Sequence, residues 1–175
     1  MVFDLIAAMK HIIISLVVYL SMVFAALTVS AQTSLTSLDG GKKDIEDQNG
    51  KVVVLAFGAS WLPLSGKQAE YANSIAKKYA GKNVAVFFVM TDSNAPRSKN
   101  FASNEALLKF ASANKVAVPV LRDPDGSSTF EKFGVDQVPS FVILDKNGRK
   151  VEVFGGIDPK WDITVPISRT IDRLL

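Results

Sequence analysis

Two stretches of this chain leave no room for a polar face. Val52-Val53-Val54-Leu55-Ala56-Phe57 and Val84-Ala85-Val86-Phe87-Phe88-Val89-Met90 are unbroken apolar runs of strand length. A strand with one wet face alternates apolar and polar side chains, so a run without alternation belongs to a strand covered on both sides. Between the two, Gly66 to Ala80 sets Ala69, Ala72, Ile75, Ala76 and Tyr79 at the three-and-four spacing of an amphipathic helix. Gly81 stands where glycine commonly stops one. Strand, helix and strand in that order need a crossover, which predicts parallel neighbours in a single sheet.

The remaining segments add to that unit. Phe141-Val142-Ile143-Leu144 predicts a third buried strand, and Asp145-Lys146-Asn147-Gly148 turns the chain into Val151-Glu152-Val153-Phe154, whose alternation suits a sheet edge. Asp39-Gly40-Gly41 inside the polar stretch Thr33 to Asp44 predicts an N-terminal hairpin. Ser103 or Asn104 can cap a helix through Ala113, and Pro119 to Arg122 reads as a short strand. Asp123-Pro124-Asp125-Gly126 turns into a brief helix, Ser127 to Phe133, and Pro166 opens a C-terminal helix, Ile167 to Leu175. The expected architecture is α/β: a three-layer α/β/α arrangement with a central mixed sheet of about five strands and an N-terminal hairpin.

Residues 1–31 differ from the rest. Lys10 and His11 precede the apolar run Ile12 to Leu27, and Val29-Ser30-Ala31 has the small-x-small pattern of a signal-peptidase site. Met9 makes a natural start for such a leader. A signal peptide over residues 1–31, or an uncleaved anchor over residues 12–29, both predict an exported domain over residues 32–175, periplasmic or extracellular. Membrane contact is then expected only through the N-terminal segment, if it is uncleaved.

Composition removes whole classes of chemistry. The chain has no cysteine, and its one histidine, His11, lies in the leader. A mature chain starting at Gln32 therefore lacks the usual zinc, copper and haem ligand sets, and it lacks Cys–His and Ser–His–Asp catalysis. No metal and no cofactor are expected. The net charge of +3 rests on scattered pairs such as Lys42-Lys43 and Lys77-Lys78, which gives no basis for nucleic-acid binding. Ser74-Ile75-Ala76-Lys77 matches the serine–lysine spacing of acyl-transferring hydrolases but sits inside an amphipathic helix without companion motifs. Gly66-Lys67 lacks the glycine and the Ser/Thr of a phosphate loop. Asp123 and Asp125 read as a capping turn in place of a calcium loop, and Asp92 and Glu131 are assigned to the surface without partners.

Three segments together resemble a known family. Val52–Ser65, VVVLAFGASWLPLS, is similar to the active-site segment of secreted thioredoxin-like thiol–disulfide oxidoreductases, and Gly134–Gly148, GVDQVPSFVILDKNG, to their segment around a conserved proline. Leu121–Gly134, LRDPDGSSTFEKFG, resembles an element of the redoxin and peroxiredoxin-like branch. The resemblance implies a thioredoxin fold from about Leu35 to Leu175. It places the two family cysteines at Leu62 and Ser65, directly after and four residues after Trp61. Neither side chain supports thiol exchange, so no catalytic residue is expected. Ala56 stands where relatives often carry a buried polar group serving those thiols. Pro139 matches the family's cis proline, and Val138 matches the residue whose backbone pairs with an extended peptide. The expected binding surface is Trp61, Leu62, Pro63, Leu64, Val138 and Pro139, with a protein or extended peptide docking beside Pro139 by strand addition.

The expected function is therefore that of a redox-inactive peptide- or protein-binding module. The alternatives are a thiol–disulfide oxidoreductase as the family implies, a peroxidase, which equally needs a thiolate, and an assembly subunit using the former active site as its interface. Exposure of the cluster around Trp61 favours binding or assembly, and its burial favours a covered relic.

Overall fold

β3 (Val52–Gly58) is buried along its whole length, as an unbroken apolar run requires. In the computed structural model, which describes residues 33–175, it pairs in parallel with β4 (Val84–Met90) and antiparallel with β6 (Ser140–Leu144). β4 pairs in parallel with β5 (Val120–Arg122), and β6 pairs antiparallel with β7 (Lys150–Gly155). The N-terminal hairpin is β1 (Ser34–Ser37) and β2 (Lys42–Asp44), which turns at Gly40 with φ +93°. Instead of standing apart, the hairpin joins the sheet through Thr36 opposite Arg122 and Ser37 opposite Leu121. The five expected strands thus become seven, in the order β2-β1-β5-β4-β3-β6-β7. The expected leader over residues 1–31 lies outside the described residues.

Alternate side chains of β3 go to opposite faces. Val52, Val54 and Ala56 join Phe88, Met90, Phe141 and Ile143 under α1 (Ser65–Lys78), α2 (Asn104–Ala113) and α4 (Thr164–Leu174). Val53, Leu55 and Phe57 join Phe87, Val89, Val142 and Leu144 on the other face, beneath the single-turn α3 (Phe130–Phe133). Fully burying a side chain such as Phe57 or Ile143 stabilises the fold by roughly 1.5–3 kcal/mol, and both are 0% exposed. The layering is uneven, with three helices on one face and one short helix on the other among the described residues.

Helix boundaries move where caps decide them. α1 begins at Ser65, one residue before the expected Gly66, because Leu64 is its N-cap, and it ends at Lys78, ahead of Ala80 and Gly81. Ser103, not Asn104, caps α2, accepting the Ala106 N–H at 3.2 Å. The stretch expected to be helical from Ser127 is taken up first by turns tied to Asp123, so that α3 starts only at Phe130. Pro166 is the third residue of α4, which opens at Thr164 behind the Asp162 side chain. Proline is tolerated there because the first turn's N–H groups have no intrahelical partner.

The candidate site at the ends of β3 and β6

β3 and β6 end side by side, with Phe57 opposite Ser140. The chain leaving β3 forms the loop Ala59–Leu64 into α1, and the chain entering β6 is Val138-Pro139. The two segments singled out in the sequence therefore emerge from adjacent strands at one end of the sheet. The Val138–Pro139 peptide bond is cis.

The loop exposes its apolar residues unevenly. Trp61 is 52% exposed and Pro63 is exposed, while Leu62 is half-buried and Leu64 packs against the α1-side core. Ser65, at the second of the two family cysteine positions, is 0% exposed. Its Oγ accepts the Ala59 N–H at 3.2 Å. That hydroxyl closes the loop back onto itself. Val138 is half-buried, and Pro139 is buried. Among the described residues neither the amide nor the carbonyl of Val138 has a hydrogen-bond partner, although the Pro139 carbonyl accepts the Gly156 N–H at 3.0 Å. A strand-end backbone pair left open in this way is what main-chain pairing with an added segment requires.

Three features were not legible from the sequence. Asp92, expected at the surface, is 1% exposed. Its carboxylate accepts the Ser60 N–H at 2.9 and 3.1 Å and the Ser60 hydroxyl at 2.5 Å. The reason is that β4 carries the chain two residues past Met90, directly under the loop, where Thr91 N–H also donates to the Gly58 carbonyl at 2.9 Å. Second, Gln68 on α1 is 0% exposed, and its Nε2 donates to the carbonyls of Phe57 at 3.0 Å and Ser140 at 2.8 Å. It fastens the helix to both strand ends, while its Oε1 has no partner. Third, Gln137 lies across Gly155, whose Cβ position would be 2.5 Å from the Gln137 Nε2. Only the 3,4 spacing of α1, which puts Gln68 beside Ala72 and Ile75, hinted at any of these.

The weaker motifs resolve structurally. Asp123 is 1% exposed, and its carboxylate accepts the Ser128 N–H at 3.0 Å and the Thr129 hydroxyl at 2.5 Å. Asp125, at φ +58°, accepts the Ser93 hydroxyl at 2.9 Å. Ser74 and Lys77 are exposed on α1, and Glu131 is exposed on α3. Ala56 is fully buried under α1. Among the described residues no group of three or more His, Asp or Glu side chains is arranged to hold a metal ion, and no helix is long and apolar enough to cross a membrane.

With this geometry in place, comparison with known proteins gives a consistent result. The family model Redoxin matches residues 25–168. A thiol-disulfide oxidoreductase ResA of Bacillus thuringiensis (strain Al Hakam) is 32% identical over 126 residues, 72% of this chain and 67% of that protein. A thioredoxin-like protein YneN of Bacillus subtilis (strain 168) is 28% identical over 115 residues, 66% of this chain and 62% of that protein. Among solved structures, the pneumococcal exposed lipoprotein thioredoxin Etrx1 of Streptococcus pneumoniae strain TIGR4 superposes with a TM-score of 0.66 at 28% identity, covering 82% of this chain and all of that one. A thiol:disulfide interchange protein DsbE homologue from Chlorobium tepidum shares the fold, with a TM-score of 0.69 at 23% identity, covering 83% of this chain and 94% of that one.

Proposed function

The chain belongs to the redoxin family, with the thioredoxin fold of the thiol–disulfide oxidoreductases, and on that footing we propose that it is a redox-inactive member that works by binding an extended polypeptide at the ends of β3 and β6. Thiol–disulfide exchange proceeds by attack of a thiolate on a disulfide sulfur, and this chain supplies no sulfur of that kind. Serine does not substitute: the Ser65 hydroxyl is buried, and its Oγ is engaged with the Ala59 amide. Docking requires no thiol. It needs an open backbone edge and an apolar surface beside it.

The observation that carries the proposal is the half-exposed Trp61 ring at the same sheet end as the unpaired Val138 amide and carbonyl. A covered relic would have turned the tryptophan inward. Placement outside the cytoplasm belongs to the same proposal. It is supported by the leader pattern of residues 1–31 and by the description of the pneumococcal relative as an exposed lipoprotein.

Amide chemical shifts of the 15N-labelled protein, titrated with a reduced and carboxymethylated polypeptide that stays unfolded, test the proposal. Shifts concentrated on Ala59–Leu64, Val138 and Gly155–Gly156 are expected. No shifts, or shifts centred elsewhere, overturn it, and concentration-dependent shifts without added polypeptide point instead to self-assembly through Trp61.

A further inference from the structure

Gly155 and Gly156 close β7 beside Pro139, and the two glycines are there for different reasons. Gly156 has φ +73°, a conformation L side chains rarely adopt. Gly155 is not in that conformation, but a side chain there would run short of space. What occupies that space is Gln137: its Nε2, Cδ and Cγ lie 2.5, 3.3 and 3.4 Å from where a Cβ on Gly155 would be, and its Oε1 lies 3.9 Å from that of Gly156. A solvent-exposed glutamine is thus laid flat on the end of an edge strand. Its amide has no hydrogen-bond partner among the described residues, and it is one residue from the open backbone of Val138. Beside it lies an open cavity of about 510 Å³, bounded by Gly155, Gly156, Ile157 and Trp161, the last 57% exposed.

An amide carries two donors and an acceptor with two lone pairs. Lying against a glycine and without a hydrogen-bond partner among the described residues, it can offer these groups to a bound segment without giving up a contact of its own. We infer that Gln137 is a hydrogen-bonding arm of the docking surface: it reads the main-chain amide of a residue in the bound segment flanking the one paired with Val138. This rests on the docking function proposed above. The partner it suits is an extended stretch of polypeptide, since a peptide unit offers the complementary donor and acceptor.

Tethering separates this inference from the docking function beneath it. In a Leu62→Cys background the introduced thiol is equilibrated, under a fixed excess of 2-mercaptoethanol, with the disulfide of acetyl-Ala-Ala-Cys-Ala-Ala-amide or with 2-hydroxyethyl disulfide. The tethered fraction is read by intact-protein mass spectrometry. The peptide is expected to tether about tenfold more strongly than the small disulfide, the scale of two net hydrogen bonds. Adding Gln137→Ala lowers that preference about threefold, the share of one net hydrogen bond, and leaves the part that the Val138 backbone supplies. Adding Gly155→Ala does the same without deleting the glutamine, because the new methyl displaces only the far end of a flexible side chain. Combining both costs no more than either alone, and matching melting temperatures exclude unfolding as the cause. A peptide preference that neither substitution diminishes overturns the role of Gln137 and leaves docking intact. No peptide preference in the Leu62→Cys parent overturns docking and, with it, this inference.

Discussion

Replacing Asp92 with alanine probes how the candidate site is held. The carboxylate is buried to 1% exposure and receives one shared N–H and one hydroxyl from Ser60. The N–H reaches both oxygens, so the contacts amount to two hydrogen bonds to a charged acceptor, each worth roughly 1.5–3 kcal/mol. Alanine also removes the unfavourable desolvation of the carboxylate, which offsets part of the loss. The net cost works out near 3 kcal/mol, and no less than about 1.5 kcal/mol. Urea denaturation followed by circular dichroism measures it. Ser60→Ala, which deletes only the hydroxyl, should cost about 1.5–3 kcal/mol in the native background and almost nothing once Asp92 is gone. In a Trp161→Phe background the emission anisotropy of Trp61 should fall with Asp92→Ala, because the loop carrying the ring loses its anchor. A destabilisation below about 1.5 kcal/mol, or additive effects of the two substitutions, would refute the claim that this carboxylate fixes the loop.

Two further perturbations test neighbouring parts of the account. Gly58→Ala would set a methyl 2.5 Å from Gln68 Oε1, 3.0 Å from Phe88 Cζ and 3.1 Å from Ser65 Oγ; overpacking of this kind costs about 1–3 kcal/mol, measurable as a lowered urea midpoint, and an unchanged midpoint would mean that the strand end is not closely packed. The Thr164 hydroxyl, at 2.7 Å, and then its N–H, at 2.9 Å, hold the Asp162 carboxyl below its ordinary value of 3.8, with the Lys67 charge adding to them. The native state therefore gains stability from this group above its ordinary pKa and loses it as pH falls through the lower native value. Asp162→Asn should narrow its stability gap to the parent below about pH 4, by well under 1 kcal/mol at so exposed a position, and a gap that widens in acid would contradict the assignment.

How far the sequence reached depended on the kind of signal each element carries. β3, β4 and β6 were legible because burial on both faces forces continuous apolar runs, and α1 because its stripe repeats at helical spacing. The hairpin was legible from Asp39-Gly40-Gly41, but its docking on β5 was not: Thr36 opposite Arg122 is a polar pairing without periodicity. The starts of α3 and α4 shifted because side chains outside the helices, Asp123 and Asp162, set where the turns end. The positions of Leu62 and Ser65 followed from family resemblance, since nothing in an apolar residue and a serine announces a former thiol site. Asp92 and Gln68 were missed for a shared reason. A polar residue looks solvent-facing in a sequence unless its partner is known, and the partners here are a loop amide and two strand-end carbonyls far away in the chain. Gln137 was missed because the sign of its placement is a glycine eighteen positions later, a spacing set only by the β6–β7 pairing.

The measurement that bears most directly on the central claim is dithiothreitol-driven reduction of insulin disulfides by the purified protein, run beside a Leu62→Cys/Ser65→Cys variant. The parent is expected to be indistinguishable from the protein-free blank and the variant to accelerate reduction, since the fold and the start of α1 remain in place to support a thiolate. Turnover by the cysteine-free parent above the blank would contradict it.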